Sequence, residues 1–150
     1  LYLSFFTLVS YDLYVSSSIT FTFVILICIF SDIGGYVIGK LIGGRKLTKL
    51  SPKKTVAGSF GSFIFSLLPI IIYSLIFNSK LQSADYFVLI LICLFLSLVC
   101  QLGDLLISFF KRKAKVKDTG SILPGHGGLL DRIDGIIFVL PVAYVLDKLF

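Results

Sequence analysis

The sequence predicts an all-α membrane protein, a polytopic bundle with about four complete transmembrane spans and a partial one at the N-terminus. Hydrophobic residues make up 57% of the 150 residues and charged residues only 15%. A soluble domain is nearer to about half apolar and about a quarter charged. The charges are also clustered, so that long apolar stretches alternate with short basic ones, as spans alternate with loops in a membrane protein.

The apolar runs define the expected elements in order. Residues 1–10 are too short to span a bilayer alone, and residues 11–18 are expected to form a polar turn. A span of 58–78 would rise about 31 Å at about 1.5 Å per residue, enough to cross the hydrocarbon core. All three cysteines lie inside such runs and are expected to be small packing residues. The complete spans are expected at 19–39, 58–78, 86–107 and, slightly short, 133–150.

Two basic loops orient the chain. The loops 40–57 and 108–132 each carry six Lys or Arg, whereas the turns 11–18 and 79–85 carry one between them. Two spans separate the basic loops, so both lie on one side, which the positive-inside rule makes the cytoplasm. We therefore expect a multi-pass protein of the inner (cytoplasmic) membrane whose basic loops face the cytoplasm.

All eight acidic residues are Asp, and five of them fall on the predicted cytoplasmic face. Acids within membrane segments are costly and tend to be functional. Asp104 lies near the inner end of its span, and Asp131 and Asp134 are spaced to share a helix face. Three carboxylates at one depth favour a divalent metal bound through oxygen, as Mg²⁺ prefers. The alternative is that each carboxylate pairs with a nearby cation such as Arg112 or Arg132.

Other segments have two or more interpretations. The glycine-rich GSILPGHGG at 120–128 could hold a phosphate on its backbone N–H groups or be an ordinary loop. The run KRKAKVK at 111–117 could bind nucleic acid, lipid headgroups or a substrate phosphate, and headgroups are the default beside a span. The loop SPKKT at 51–55 offers phosphate-binding residue types or simply satisfies the positive-inside rule. The segment DIGGY at 32–36 is either a tight helix contact or a ligand contact.

One pattern resembles a known family. From Ser108 to Asp134 the chain reads SFFKRKAKVKDTGSILPGHGGLLDRID, which closely resembles the signature of the phosphatidate cytidylyltransferase (CDP-diacylglycerol synthase) family. Residues 32–58 and QLGD at 101–104 resemble further family segments, with Gly35 in place of Ala and Ala57 in place of Glu. Members are usually longer at the N-terminus, so residues 1–150 are expected to be a single transmembrane catalytic domain, the C-terminal part of that architecture.

The resemblance implies an enzyme of phospholipid biosynthesis. It would transfer CMP from CTP to phosphatidate, giving CDP-diacylglycerol and pyrophosphate, with Mg²⁺ as cofactor and K⁺ as a candidate second ion. CTP, phosphatidate and membrane lipids are the implied partners, a homodimer is allowed, and nucleic acid is not expected. The implied metal ligands are Asp104, Asp131 and Asp134. The implied catalytic residues are Asp104, Lys111, Arg112, Asp131 and Arg132. The implied substrate-binding residues are Asp32, Ser51, Lys53, Lys54, Thr55, Ser108, Lys117, Asp118, His126, Gly127 and Gly128.

Three other functions stay open. A cytidylyltransferase or kinase for another lipid phosphate would use the same charged residues. A transporter or cation channel would continue polar residues through its spans, whereas the centres of 58–78 and 86–107 are apolar. A non-catalytic fragment would assemble with partner helices without using CTP. If the enzyme interpretation is right, replacing Asp131 with Asn abolishes turnover while the protein still inserts.

Overall fold

The computed structural model describes residues 1–48, 51, 54–77, 83–116 and 133–149. The regular structure of these residues is helical apart from one antiparallel bridge between Lys46 and Thr55. This confirms the predicted all-α class. The helices are α1 (Tyr2–Ser16), α2 (Ser18–Ile42), α3 (Val56–Phe65), α4 (Leu68–Phe77), α5 (Ser83–Lys113) and α6 (Ile136–Leu149).

Three helical segments of the described chain are long and apolar enough to cross a membrane: Ser18–Ile42, Val56–Leu75 and Tyr86–Lys113. They correspond to the first three complete spans expected from the sequence. The fourth expected span forms α6, whose 14 residues rise about 21 Å, less than the roughly 30 Å hydrocarbon core. Large apolar side chains such as Phe60 and Phe87 are exposed on the long helices, as lipid-facing surface requires. The chain is an all-helical membrane protein.

The prediction of a polar turn at 11–18 is wrong. α1 continues to Ser16, and α2 begins at Ser18, so that only Ser17 separates the two helices. The hydroxyl of Ser16 donates to the Leu13 carbonyl at 3.3 Å, which is how a polar side chain is accommodated inside a helix. Ser17 caps α2 by accepting the Thr20 N–H at 3.3 Å. The serines that resemble a loop are therefore helical and capping residues.

Two further boundaries differ from the sequence prediction. α5 begins at Ser83, within the turn expected at 79–85, and runs past residue 107 to Lys113. The first three residues of the basic run thus stand on its last turn, where cations interact favourably with the helix dipole. The second span is not one straight helix, because a turn at Ser66 and Leu67 separates α3 from α4. Pro69 follows that turn and has no N–H with which to continue a helix from α3.

α2 and α3 meet backbone to backbone through glycines. A Cβ atom on Gly34 would lie 2.5 Å from the Gly61 carbonyl oxygen. A Cβ atom on Gly58 would lie 2.7 Å from the Gly35 carbonyl oxygen. Such an approach excludes any side chain at these positions. The DIGGY segment therefore makes the tight helix contact that was one of its two interpretations, and Asp32 lines a cavity with Ser59 and Ser62 of α3.

The hydrophobic core lies mainly where α2, α5 and α6 meet. All three cysteines belong to it or adjoin it, and they are buried and unbridged, as expected of packing residues. One polar contact crosses the core between α2 and α5, where the hydroxyls of Ser31 and Ser97 are 2.8 Å apart and fully buried. The buried apolar residues are Leu13, Val24, Ile27, Cys28, Ile70, Cys93, Leu96, Cys100, Val139, Leu140 and Ala143.

Candidate active site

A cavity of about 230 Å³ lies between α2, α3 and α5. Residues from three of the segments singled out in the sequence meet there: 32–36 on α2, the end of 51–55 at Lys54 and Thr55 before α3, and 101–104 on α5. The glycine contact between α2 and α3 brings the first two together, and packing of both helices on α5 adds the third. The lining residues are Asp32, Gly35, Tyr36, Leu47, Lys54, Thr55, Gly58, Ser59, Ser62, Gln101 and Asp104.

An ion pair crosses this cavity. Lys54 Nζ lies 2.7 Å from Asp104 Oδ2, and the side chains are 33% and 13% exposed respectively. The backbone of Lys54 is fixed because its carbonyl accepts the Leu47 N–H at 2.8 Å. Next to it, the Val56 N–H donates to the Arg45 carbonyl at 3.0 Å. A charge-assisted hydrogen bond of this length in a partly buried site is a strong one.

The second oxygen of Asp104 has a different environment. Oδ1 is buried and has no hydrogen-bond partner within the described ranges. A Cβ atom added to Gly135 would lie only 2.8 Å from it, so the turn before α6 presses directly against this carboxylate. A buried carboxylate oxygen without a partner is costly. A bound cation would remove that cost.

Asp134 adds a second carboxyl group at this point. It lies in the turn before α6, outside the three candidate spans. Burial, and then the nearby charge of Asp104, raise the pKa of Asp134 to about 7, while the Gly135 N–H and Lys111 act in the opposite direction. When both carboxyls are ionised, neither can donate to the other, so a proton or a metal ion is needed between them. Oxygen ligands of this kind suit Mg²⁺.

The described part of the chain contains no group of three His, Cys, Asp or Glu side chains that could hold a metal ion. It brings together two of the three predicted ligands, Asp104 and Asp134. The third predicted ligand, Asp131, lies outside the described residues. The residues present fit a divalent cation because the orphaned Asp104 oxygen and the adjacent Asp134 supply negative charge and oxygen donors.

α5 carries further predicted site residues on the Asp104 face. Ser108 and Lys111 follow Asp104 by four and seven residues, the spacing of one helix face. Both are half-buried, whereas Arg112 is exposed. Ser51 does not line the cavity; its carbonyl accepts the Lys54 N–H at 3.1 Å, so it supports the loop that carries Lys54.

Eight predicted site residues lie outside the described residues, and with them the glycine-rich segment 120–128. They are Lys53, Lys117, Asp118, His126, Gly127, Gly128, Asp131 and Arg132.

Sequence reasoning missed a chain of polar side chains behind the cavity. The Ser59 hydroxyl of α3 donates to Gln101 Oε1 of α5. Gln101 Nε2 donates to Ser97 Oγ at 3.5 Å, and Ser97 meets Ser31 of α2. The chain thus connects the three helices that form the cavity. The available signal was an amide inside an apolar span, three residues before Asp104 and so on its face.

Comparison with known proteins gives consistent results. The profile of the cytidylyltransferase family matches residues 1–150. A phosphatidate cytidylyltransferase of Bacillus subtilis is 46% identical over 134 residues, which are 88% of this chain and 49% of that protein. One from Staphylococcus saprophyticus is 45% identical over 127 residues, 83% of this chain and 47% of that protein. One from Staphylococcus aureus is 45% identical over 124 residues, which are 81% of this chain and 46% of that protein. The chain spans about half the length of the curated relatives it matches.

Proposed function

This chain belongs to the cytidylyltransferase family, and from that membership we propose that it transfers CMP from CTP to phosphatidate, giving CDP-diacylglycerol and pyrophosphate. The relatives that carry the name phosphatidate cytidylyltransferase support the choice of substrates. The observation that carries the proposal is Asp104, a partly buried carboxylate held between Lys54 and Asp134 at the edge of a cavity in a membrane protein.

The chemistry of the reactants explains why such a site needs cations more than a base. Phosphatidate is a phosphate monoester, whose second pKa is about 6 by analogy with other monoesters, so it is mostly dianionic near neutral pH. The nucleophilic oxygen therefore needs no strong base. The obstacle is repulsion between this dianion and the triphosphate of CTP, and positive charge placed between the two reduces it.

Asp104 and Asp134 would hold Mg²⁺, with Asp131 as the expected third ligand and K⁺ as a candidate second ion. When bound, Mg²⁺ neutralises phosphate charge and aligns the reacting groups. Lys54 lines the cavity and would bind a phosphate oxygen of CTP. Lys111 lies on the Asp104 face of α5 and would also bind a phosphate oxygen of CTP.

We place the site at the cytoplasmic face of the inner membrane. Lys40 lies in the last turn of α2, and Lys111, Arg112 and Lys113 lie in the last turn of α5. Both helices pass the cavity before reaching these basic ends. The positive-inside rule assigns such ends to the cytoplasm, where CTP is available, while phosphatidate approaches from the bilayer.

The decisive experiment measures transfer of labelled CMP from CTP to phosphatidate in detergent micelles, with and without Mg²⁺. We expect a product that depends on Mg²⁺ and on Asp104. Asp104→Asn should lower kcat by at least about a hundredfold, because it weakens the hold on Mg²⁺, whose positive charge would offset the repulsion between the two anions.

Asp12→Asn is the matched control. Asp12 is an exposed aspartate of α1 and lies 4.0 Å from Lys148, near the C-terminal end of α6. Asp104 lies at the other end of α6, beside Gly135. Substitution of Asp12 should therefore leave kcat within about twofold. Product formed only from another lipid phosphate would correct the substrate. Wild-type turnover by Asp104→Asn would contradict the metal-ligand assignment.

A further inference from the structure

The ammonium group of Lys54 contacts Asp104 at the place where a metal would bind. Its Oδ2 contacts Lys54 Nζ at 2.7 Å, while its Oδ1 is buried and has no partner within the described ranges. A divalent cation on the same carboxylate would lie within a few ångströms of the ammonium. At such distances two positive charges repel strongly even at an effective dielectric constant of about 20.

Lys54 is placed so that its ammonium can leave without disturbing the fold. Its backbone is held by Leu47 and Ser51, but a third of its side chain is exposed and it lines the cavity. The four-carbon stem of a lysine has several rotatable bonds, so the charged end can move while the backbone stays fixed. Within the cavity, a phosphate group would offer it a replacement partner.

We propose that Lys54 is a displaceable counter-ion of Asp104. Before substrate binds, it neutralises the carboxylate and weakens its hold on a divalent cation. When a triphosphate enters the cavity, the ammonium moves to a phosphate oxygen and leaves the carboxylate to the metal. This inference rests on the proposed function, since it takes Asp104 as a metal ligand. It follows that metal and nucleotide bind cooperatively and that each strengthens the other by the same factor.

The test measures Mn²⁺ binding to the whole chain in detergent micelles without nucleotide, by the electron paramagnetic resonance signal of free Mn²⁺. Lys54→Met should lower the Kd for Mn²⁺ by about tenfold or more, because an opposite charge at this distance stabilises a carboxylate by about one to three pKa units. Lys54→Gln should do the same. Lys54→Arg keeps the charge and should keep the weak affinity of the wild type.

Lys113→Met is the matched control for net charge. Lys113 is exposed at the end of α5, and its removal should change the Kd by less than about twofold. Size-exclusion chromatography of each variant checks that it is folded and monodisperse.

The outcomes separate this inference from the proposed function. If Asp104→Asn abolishes Mn²⁺ binding but Lys54→Met and Lys54→Gln bind no tighter than the wild type, the displaceable role is wrong and the metal ligand stands. If Asp104→Asn binds Mn²⁺ as well as the wild type, both the metal assignment and the role of Lys54 fall. Tighter binding by both neutral variants, lost again in Lys54→Met/Asp104→Asn, establishes the role.

Discussion

At the scale of single residues, the two oxygens of Asp104 have unlike surroundings. Oδ2 meets the flexible end of Lys54, while Oδ1 faces the backbone of the turn at Gly135. The first contact can adjust to a ligand. The second leaves no room for a side chain at position 135, because a Cβ atom there would meet both Asp104 Oδ1 and Cys100 Sγ. Gly135 therefore fixes where the carboxylate can be.

Gly135→Ala tests this constraint. The added Cβ would lie 2.8 Å from Asp104 Oδ1 and 2.6 Å from Cys100 Sγ, so the carboxylate or the turn must shift. We expect CMP transfer to fall by at least about tenfold, with a loss of about 1 to 3 kcal/mol in unfolding free energy. Activity and thermal unfolding in micelles measure the two effects.

Gly103→Ala is the control for Gly135→Ala. Its Cβ would meet the Phe138 side chain at 2.8 Å, in the same contact between α5 and α6 but away from the carboxylate. It should lower stability comparably and lower CMP transfer by less than about twofold. Equal loss of CMP transfer in both variants would show that Gly135 has no special relation to Asp104.

The residue pairs were only partly predictable. Asp104 and Asp134 were expected to converge because the topology puts both at one depth, and the structure brings them together; their roles stay predictions. The contact of Lys54 with Asp104 joins residues 50 positions apart. It depends on how closely α3 approaches α2, which charge patterns do not reveal.

At the scale of the elements, α6 contains a proline whose effect is repaired by another helix. Pro141 has no N–H, so the Ile137 carbonyl one turn earlier loses its helical donor. The Tyr2 hydroxyl of α1 donates to that carbonyl at 3.0 Å. Away from water, an unpaired carbonyl is expensive, so this bond joins the first helix to the last.

A double-mutant cycle measures this bond. Tyr2→Phe should lower the unfolding free energy by about 1 kcal/mol, the usual net value of such a hydrogen bond. In a Pro141→Ala background the cost should approach zero, because the new N–H satisfies the Ile137 carbonyl within α6. Tyr14→Phe, on an exposed tyrosine of the same helix, is the control. An equal cost in both backgrounds would contradict the pairing.

Element boundaries were less predictable than element identity, for reasons visible in single residues. Ser16 and Ser17 resemble loop residues but serve as a helical residue and a helix cap. Pro69 indicates a break in the second span. A hydropathy profile does not reveal this break, because proline interrupts backbone hydrogen bonding without adding charge. Lys111 and Arg112 stand on the end of α5, because basic residues extend a helix C-terminus readily.

At the scale of the whole molecule, the remaining question is orientation across the membrane. Apolar runs and basic clusters alternate strongly enough that class and topology follow from hydropathy and charge alone. We propose that the basic ends lie on the cytoplasmic side. The three native cysteines are buried, so a cysteine introduced elsewhere can report orientation.

Single introduced cysteines should react from opposite sides. Lys113→Cys, at the basic end of α5, should react with a membrane-impermeant maleimide in inside-out vesicles and not in intact cells. Asp12→Cys, near the other end of α6, should show the reverse. The chain without added cysteine should stay unlabelled. If Lys113→Cys reacts in intact cells and Asp12→Cys does not, the proposed orientation is inverted.

The backbone contact between α2 and α3 has a mechanical consequence. Two helices whose glycines bring their backbones into direct contact have no compressible layer there and resist sliding. They act as one rigid unit along one wall of the cavity. The opposite wall, α5, is joined to this unit by serine and glutamine hydrogen bonds, which can break and reform singly. Any widening needed to admit a nucleotide should therefore be a displacement of α5 relative to α2 and α3.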